Sequence, residues 1–248
     1  MSPDKISKRQ ERRQKMRQQE TQGRLITIGL ITLGAVFLVF AFVSPQLKPV
    51  GEVIPPEPRT EALPNPDGLA LGDPNAPAVI DVFEDFQCPA CQFFTETIEP
   101  QIITYLVKEG KARLVFHNYP FIDGGGVGNG ESDQAANAAM CANEQGKFWE
   151  MQDVIFTNQQ GENKGHFNDR FLVAMAESVN LDMNSFNSCF NSNKYKADIQ
   201  ADFDLGEQMG VSGTPSVFVN GQKVGETGKI ASFQEIAVAV DLAANSGE

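Results

Sequence analysis

Hydrophobic and polar positions divide the chain from residue 78 onward into a short α/β start, a long helical middle and a β-rich end. The apolar, β-branched run at residues 78–83 predicts a buried strand, and residues 112–119 predict a second one. Between them, residues 88–109 place apolar side chains at helical spacing, with Pro100 expected to kink the helix. Two strands joined by a helix predict a parallel βαβ unit.

The following residues continue as a run of helices and then return to strand patterns. A glycine-rich loop at residues 123–130 does not fit a phosphate-binding motif and is expected to lie at the surface. An Asn-Gly pair at residues 220–221, between two apolar runs, predicts a β-hairpin. Helices are predicted at residues 132–144, 148–156, 168–178, 182–190, 194–209 and 230–244. The predicted layout is therefore βαβ, a helical insertion at about 131–210, then ββα.

The first 66 residues have a different pattern. Residues 25–43 contain no charged side chain, which at helical rise is about enough to span a bilayer. Residues 1–24 carry eight Lys or Arg and three Asp or Glu, so the positive-inside rule predicts a cytoplasmic tail. A cleaved signal peptide ending near Val39-Phe40-Ala41 is the alternative to this uncleaved anchor.

Seven of the fourteen prolines fall between residues 44 and 66, which predicts an extended, semi-rigid linker. The remaining residues, 67–248, are expected to form one folded domain on the extracytoplasmic side of a single-pass cell-membrane protein. The net charge of −12 argues against nucleic-acid binding by the chain as a whole. The basic tail has no interleaved aromatic residues that would suggest such binding either.

Candidate chemistry centres on Cys88-Pro89-Ala90-Cys91, which follows the first predicted strand and opens a helix. A helix N-terminus stabilises a thiolate through its unpaired N–H groups and its dipole. Cys88, at the start of the helix, is expected to be the low-pKa nucleophile. Cys91, one turn further in, is expected to resolve the mixed disulfide.

Residues 86–91 (Phe-Gln-Cys-Pro-Ala-Cys), the helical insertion and residues 213–219 (Gly-Thr-Pro-Ser-Val-Phe-Val) resemble the DsbA-like branch of the thioredoxin superfamily. The resemblance covers roughly residues 65–245. It implies a thioredoxin fold with a helical insertion, preceded here by the transmembrane helix. It also implies that Pro215 is cis and packs against the dithiol, and that Thr214 presents backbone groups to an extended substrate peptide.

The resemblance implies a protein thiol-disulfide oxidoreductase, most simply an oxidase that introduces disulfides into unfolded, reduced exported polypeptides. Reoxidation by a quinone-linked membrane partner, DsbB-like or VKOR-like, would complete the cycle, with no cofactor and with the enzyme as a monomer. The Pro89-Ala90 pair lacks the histidine found in the best-known members, so a milder oxidant is expected. A reductase or isomerase remains an alternative, as does a module in which Cys88 and Cys91 bind a metal.

Cys141 and Cys189 complete an even count of four cysteines, which suggests pairing in an exported domain. Three pairings exist. If Cys88 and Cys91 form the active pair, Cys141 and Cys189 are left as a structural disulfide. Two buried free thiols, or a second redox pair, are the alternatives.

Two acidic residues, Glu84 and Asp85, lie just ahead of the dithiol. Either is a candidate acid or base that relays protons or raises the pKa of Cys91. Helix capping and plain solvent exposure are equally compatible with the sequence. His117, on the second predicted strand, is expected at the edge of the core and not in catalysis.

Overall fold

The computed structural model describes residues 16–17, 24, 27–41, 51–59, 61–124 and 128–245. It divides into two compact units, Met1–Pro49 and Val50–Glu248. In the first unit, residues 27–41 form helix α1, whose large apolar side chains are exposed. No helix in the described part of the chain is both long and apolar enough to cross a membrane. Residues 25–26 and 42–43 of the predicted anchor, most of the basic tail, and residues 44–50 lie outside the described residues.

A five-stranded sheet forms the centre of the second unit, in the order β1-β3-β2-β4-β5. Strand β2 pairs in parallel with β3, with Ala78 opposite Ala112, and antiparallel with β4. The predicted parallel βαβ unit and the Asn-Gly hairpin are therefore confirmed. The strands are β1 (Ala70–Leu71), β2 (Ala78–Glu84), β3 (Ala112–Asn118), β4 (Ser216–Val219) and β5 (Gln222–Val224).

Strand β1 lies in a stretch predicted only as a turn-rich lead into the domain. It is two residues long and pairs antiparallel with β3, with Ala70 opposite Val115. A two-residue segment is too short to show a periodic pattern, so this strand is recognisable only from its pairing with β3.

The helix after the dithiol is interrupted where the sequence predicts a kink. Helix α2 (Pro89–Thr97) ends next to Ile98, α3 (Glu99–Ile102) begins there, and a π-helical turn follows at Ile103–Val107. Pro100 has no N–H to donate, so the regular ladder stops one turn earlier. The break turns Glu99 into the protein, where its side chain is buried.

The helical insertion packs around α4, which contacts α5, α6, α7 and α8. Small side chains on α4, among them Ala135, Ala138 and Ala139, allow this close packing because they are fully or almost fully buried. The closing helix packs against β2 and β4. The helices are α4 (Glu131–Asn143), α5 (Phe148–Thr157), α6 (Asp169–Ser178), α7 (Met183–Asn191), α8 (Lys196–Met209) and α9 (Phe233–Asn245).

Part of the Pro-rich segment lies on the domain surface, which differs from the free spacer that the sequence predicts. We call residues 51–59 and 61–63 the strap. The Ile54 N–H donates to Asn158 Oδ1 at 2.8 Å, and the Asn158 amide returns a hydrogen bond to the Ile54 carbonyl at 2.7 Å. The Arg59 guanidinium binds Asp153 in a bidentate pair at 2.7 and 2.6 Å. Prolines hold this segment extended, and an extended chain can follow a surface as readily as it can span solvent.

Candidate active site

The two cysteines of the dithiol lie where the central strand β2 passes into α2. Cys88 is the N-cap of α2, with extended backbone angles, and Pro89 occupies the first turn. Proline is suited to that position because the missing N–H would have no helical partner there. Cys88 is 6% exposed, Cys91 is fully buried, and both are free thiols.

The surroundings of Cys88 favour its thiolate. The hydrogen bond from the Cys91 thiol lowers the pKa of Cys88 to about 6, against the opposing effect of burial. The Thr214 hydroxyl and the backbone N–H groups of Cys91 and Ala90 act in the same direction. As a thiol, Cys88 donates to the Thr214 carbonyl at 3.3 Å. The buried Thr214 hydroxyl has no hydrogen-bond partner among the described residues, so it is free to donate once the thiolate forms.

Cys91 has the opposite environment. Burial raises the pKa of Cys91 well above its ordinary value, and the Cys88 and Glu84 side chains raise it further. Glu84 ends β2 beside this thiol and is 1% exposed. Burial, and the negative charge of Glu99, raise the pKa of Glu84 in turn. The protein thus holds one thiol ready to ionise, and keeps the other protonated next to a carboxyl group.

The structure separates Glu84 from Asp85, which the sequence does not distinguish. Asp85 Oδ1 accepts hydrogen bonds from the Gln87 N–H at 2.8 Å and the Ser132 hydroxyl at 2.6 Å, and Oδ2 accepts one from the Ile122 N–H at 3.0 Å. Burial raises the pKa of Asp85 to about 7. These bonds tie the turn before the dithiol to the start of α4, so Asp85 faces away from the Cys91 thiol.

Thr214 and Pro215 lie across from the dithiol, and the peptide bond between them is cis. They line one side of a groove of about 210 Å³, together with Ala90 of α2. The far side of the groove is formed by residues 223–224 and 226–231. An extended peptide placed in this groove would pass beside Cys88.

Cys141 and Cys189 form a disulfide that joins α4 to α7 within the insertion. His117 lies on β3 between Asp81 and Asp202, at 3.0 and 3.1 Å, and stacks on Phe83. Burial lowers the pKa of His117, but the hydrogen bonds that its ring donates to these two carboxylates outweigh burial and raise that pKa to about 9. Neither group faces the dithiol. In the described part of the chain, no group of three or more His, Cys, Asp or Glu residues is placed to hold a metal ion.

Sequence reasoning missed Glu99 and Arg59. Glu99 is 3% exposed and accepts a hydrogen bond from the Gln152 amide at 3.1 Å. Its other carboxylate oxygen lies 3.9 Å from the Arg59 guanidinium of the strap. The one available signal was an acidic residue directly before Pro100 inside an otherwise apolar helical face.

Comparisons with known proteins agree with this geometry. The family described as Thioredoxin matches residues 64–237. The probable disulfide bond formation protein D of Bacillus anthracis is 29% identical over 154 residues, which are 61% of this chain and 69% of that protein. Oxidised BdbD from Bacillus subtilis superposes with a TM-score of 0.63 at 21% identity, over 74% of this chain and 97% of that one. Wolbachia pipientis alpha-DsbA1 superposes with a TM-score of 0.60 at 22% identity, over 74% and 94%.

Proposed function

The chain belongs to the Thioredoxin family and is a thiol-disulfide oxidoreductase, and from this premise we propose that it is a dithiol oxidase for exported proteins. The observation that carries the proposal is the contrast between the two thiols. Cys88 has a pKa lowered to about 6 at the edge of a groove, while the pKa of the buried Cys91 is raised. A stabilised Cys88 thiolate favours the reduced enzyme, and therefore favours passing the disulfide on to a substrate.

The proposed reaction transfers one disulfide in two exchange steps. A substrate thiolate attacks Cys88 Sγ of the oxidised enzyme, the Cys88–Cys91 bond breaks, and Cys91 leaves as a thiolate that takes up a proton. A second substrate thiolate then attacks the substrate sulfur of the mixed disulfide and releases the Cys88 thiolate. The substrate loses two electrons and the enzyme gains them, so reoxidation needs a separate electron acceptor.

We assign Glu84 as the acid and base for Cys91, because the charge of the Glu84 carboxylate raises the pKa of that thiol. Asp85 is assigned a structural role in the turn. Thr214 and Pro215 are assigned to substrate binding: the Thr214 backbone lies at the groove beside Cys88, where it can pair with an extended peptide. Little side-chain specificity is required by such pairing, which suits an enzyme with many substrates.

The proposed location is the extracytoplasmic face of a cell membrane, with residues 25–43 as a single-pass anchor and residues 1–24 in the cytoplasm. The support is the uncharged run and the basic tail in front of it. In such a place the electron acceptor would be a quinone-linked membrane protein, and the substrates would be reduced exported polypeptides.

The reduction potential of the Cys88–Cys91 pair tests the proposal, measured by equilibrating the full chain with glutathione buffers. We expect a value near or above about −180 mV, as for an oxidant. A value near about −270 mV would show that the protein works as a reductase.

A Cys88→Ser variant is the matched test of the nucleophile. We expect it to lose oxidation of a reduced, unfolded substrate protein, down to the uncatalysed rate. Retained activity in this variant would remove Cys88 from the mechanism, whatever the potential of the wild-type protein.

A further inference from the structure

A cavity of about 620 Å³ lies between the strap and the rest of the domain. Strap residues 54–59 and 61–63 form one wall, and α2, α3 and α5 contribute to the other. Thr95 and Glu99 line the inner end. The cavity therefore reaches from the surface to the layer of side chains under the dithiol.

Glu99 is the titratable group at the inner end, and three elements of the protein face it. The strap contributes Arg59, and α5 contributes Asp153 and the amide of Gln152. The third element is β2, through Glu84. Burial raises the pKa of Glu99 to about 7, Arg59 opposes this rise and Asp153 adds to it. Arg59 is itself held in place by its bidentate pair with Asp153.

Glu84 connects Glu99 to the dithiol. The Thr95 hydroxyl, which also lines the cavity, donates to Glu84 Oε2 at 3.2 Å. Glu84 Oε1 is buried and has no hydrogen-bond partner among the described residues, and the same holds for Gln152 Oε1. Buried polar atoms are almost always hydrogen-bonded. Both residues act on Glu99 or are acted on by it, so the two unpartnered oxygens mark a cluster in which a carboxyl group can hold a proton.

We propose that the strap is part of the redox site: Arg59 favours the charged form of Glu99 at the inner end of the cavity, and Glu99 acts on the proton that Glu84 exchanges with Cys91. Glu99 and Arg59 are positioning residues, since neither touches the reacting sulfur atoms. This inference rests on the proposed function, because it concerns the acid and base of the same exchange.

The step concerned is the resolution of a mixed disulfide at Cys88. The Cys91 thiol passes its proton to the Glu84 carboxylate, the Cys91 sulfur attacks Cys88 Sγ, and the external thiolate leaves. No electrons enter or leave beyond those of the exchanged disulfide. The rate rises with pH as Glu84 ionises, and the negative charge of Glu99 opposes that ionisation.

The test is the pH profile of this step in the full chain, with glutathione attached to Cys88 and its release followed over time. We expect Glu99→Gln to move the midpoint of the profile to lower pH by about one unit. Arg59→Gln leaves Glu99 without its cation, so Glu99 becomes neutral and the midpoint moves in the same direction by a smaller amount. Arg59→Lys keeps the charge and should restore the wild-type profile.

Lys108→Gln is the matched control, because Lys108 forms the other strap ion pair, with Glu61, and lines the same cavity. It loosens the strap without removing a charge that acts on Glu99, and its profile should match the wild type. A general effect of strap loosening would instead shift the midpoint in Lys108→Gln as well, and would overturn the proposal.

Wild-type profiles in both Glu99→Gln and Arg59→Gln would also overturn it, and Arg59 lies at the surface, where substitution leaves the core intact. The function proposed above would still stand in that case. If the wild-type protein releases no glutathione at any pH, the proposed function itself fails, and this inference fails with it.

Discussion

Two cysteine pairs in one chain show what separates a reactive pair from an inert one. Cys88 and Cys91 are three residues apart at a helix start, and Cys141 and Cys189 are 48 residues apart in two packed helices. Both pairs are buried, so burial does not distinguish them. The first pair has donors for a thiolate on one sulfur and a carboxyl group beside the other. The second pair lies in the hydrophobic core, and Cys141 Sγ is 3.9 Å from Asn137 Oδ1. Reactivity therefore follows the ionisable neighbours of the sulfur atoms.

The two cysteine pairs are expected to differ most in their contribution to the free energy of unfolding. Replacing Cys141 and Cys189 together by Ala opens a 48-residue loop and should lower the free energy of unfolding by about 4 kcal/mol in the chain-entropy account. Denaturant unfolding measures this. The matched double variant, Cys88→Ala with Cys91→Ala, removes no disulfide from the reduced protein and should cost much less.

Turnover of the folded Cys141→Ala/Cys189→Ala protein completes that comparison. We expect it to equal the wild-type rate, because this pair does not face the groove. A folded variant that no longer oxidises substrate would show that Cys141 and Cys189 take part in the chemistry, and would contradict the difference between the two pairs.

A smaller difference is expected in how the free energy of unfolding depends on pH. The folded protein lowers the pKa of Cys88 from 9.0 to about 6, so the thiolate stabilises the reduced protein above about pH 9, and this stabilisation is lost as the pH falls through about 6. We expect the unfolding free energy of the reduced protein to fall by about 2–4 kcal/mol over that range, relative to the oxidised protein. Cys88→Ala should remove this pH dependence. The ultraviolet absorbance of the thiolate gives the midpoint independently, and a midpoint near 9 would contradict the prediction.

The smallest effect is expected from replacing Glu84, the carboxyl group beside the first pair. Glu84→Gln removes the proton acceptor next to Cys91 and should slow resolution of a Cys88–glutathione disulfide by about tenfold. Asp85→Asn, its neighbour in sequence, should leave this rate nearly unchanged, since Asp85 bonds to the turn and to Ser132. Equal slowing in both variants would contradict the separate roles assigned to Glu84 and Asp85.

Local patterns made much of the fold predictable. The apolar runs at 78–83 and 112–119, the Asn-Gly turn and the position of Cys88 at a helix start all depend on near neighbours in sequence. The break after Thr97 was predictable from Pro100 alone, although the π-helical turn that follows it was not. That turn depends on how the rest of the helix packs onto the sheet.

The site was predictable only as far as its motif. Nothing in the sequence distinguishes Glu84 from Asp85, because their difference is the direction in which each side chain leaves the end of β2. The strap was missed for a related reason: prolines set the local shape of the segment, whereas its place on the surface depends on Arg59 meeting Asp153, which is 94 residues away. Long-range ion pairs of this kind leave no periodic signal.

The disulfide between α4 and α7 has a consequence for how each new copy of the protein matures. Cys141 and Cys189 are 0% and 4% exposed in the folded chain, so their thiols are accessible to an oxidant only before those helices close over them. Two electrons have to leave every nascent chain at that stage. A finished copy with an oxidised Cys88–Cys91 pair is a chemically competent acceptor for them. On the function proposed above, a finished copy would thus oxidise later copies of the same protein.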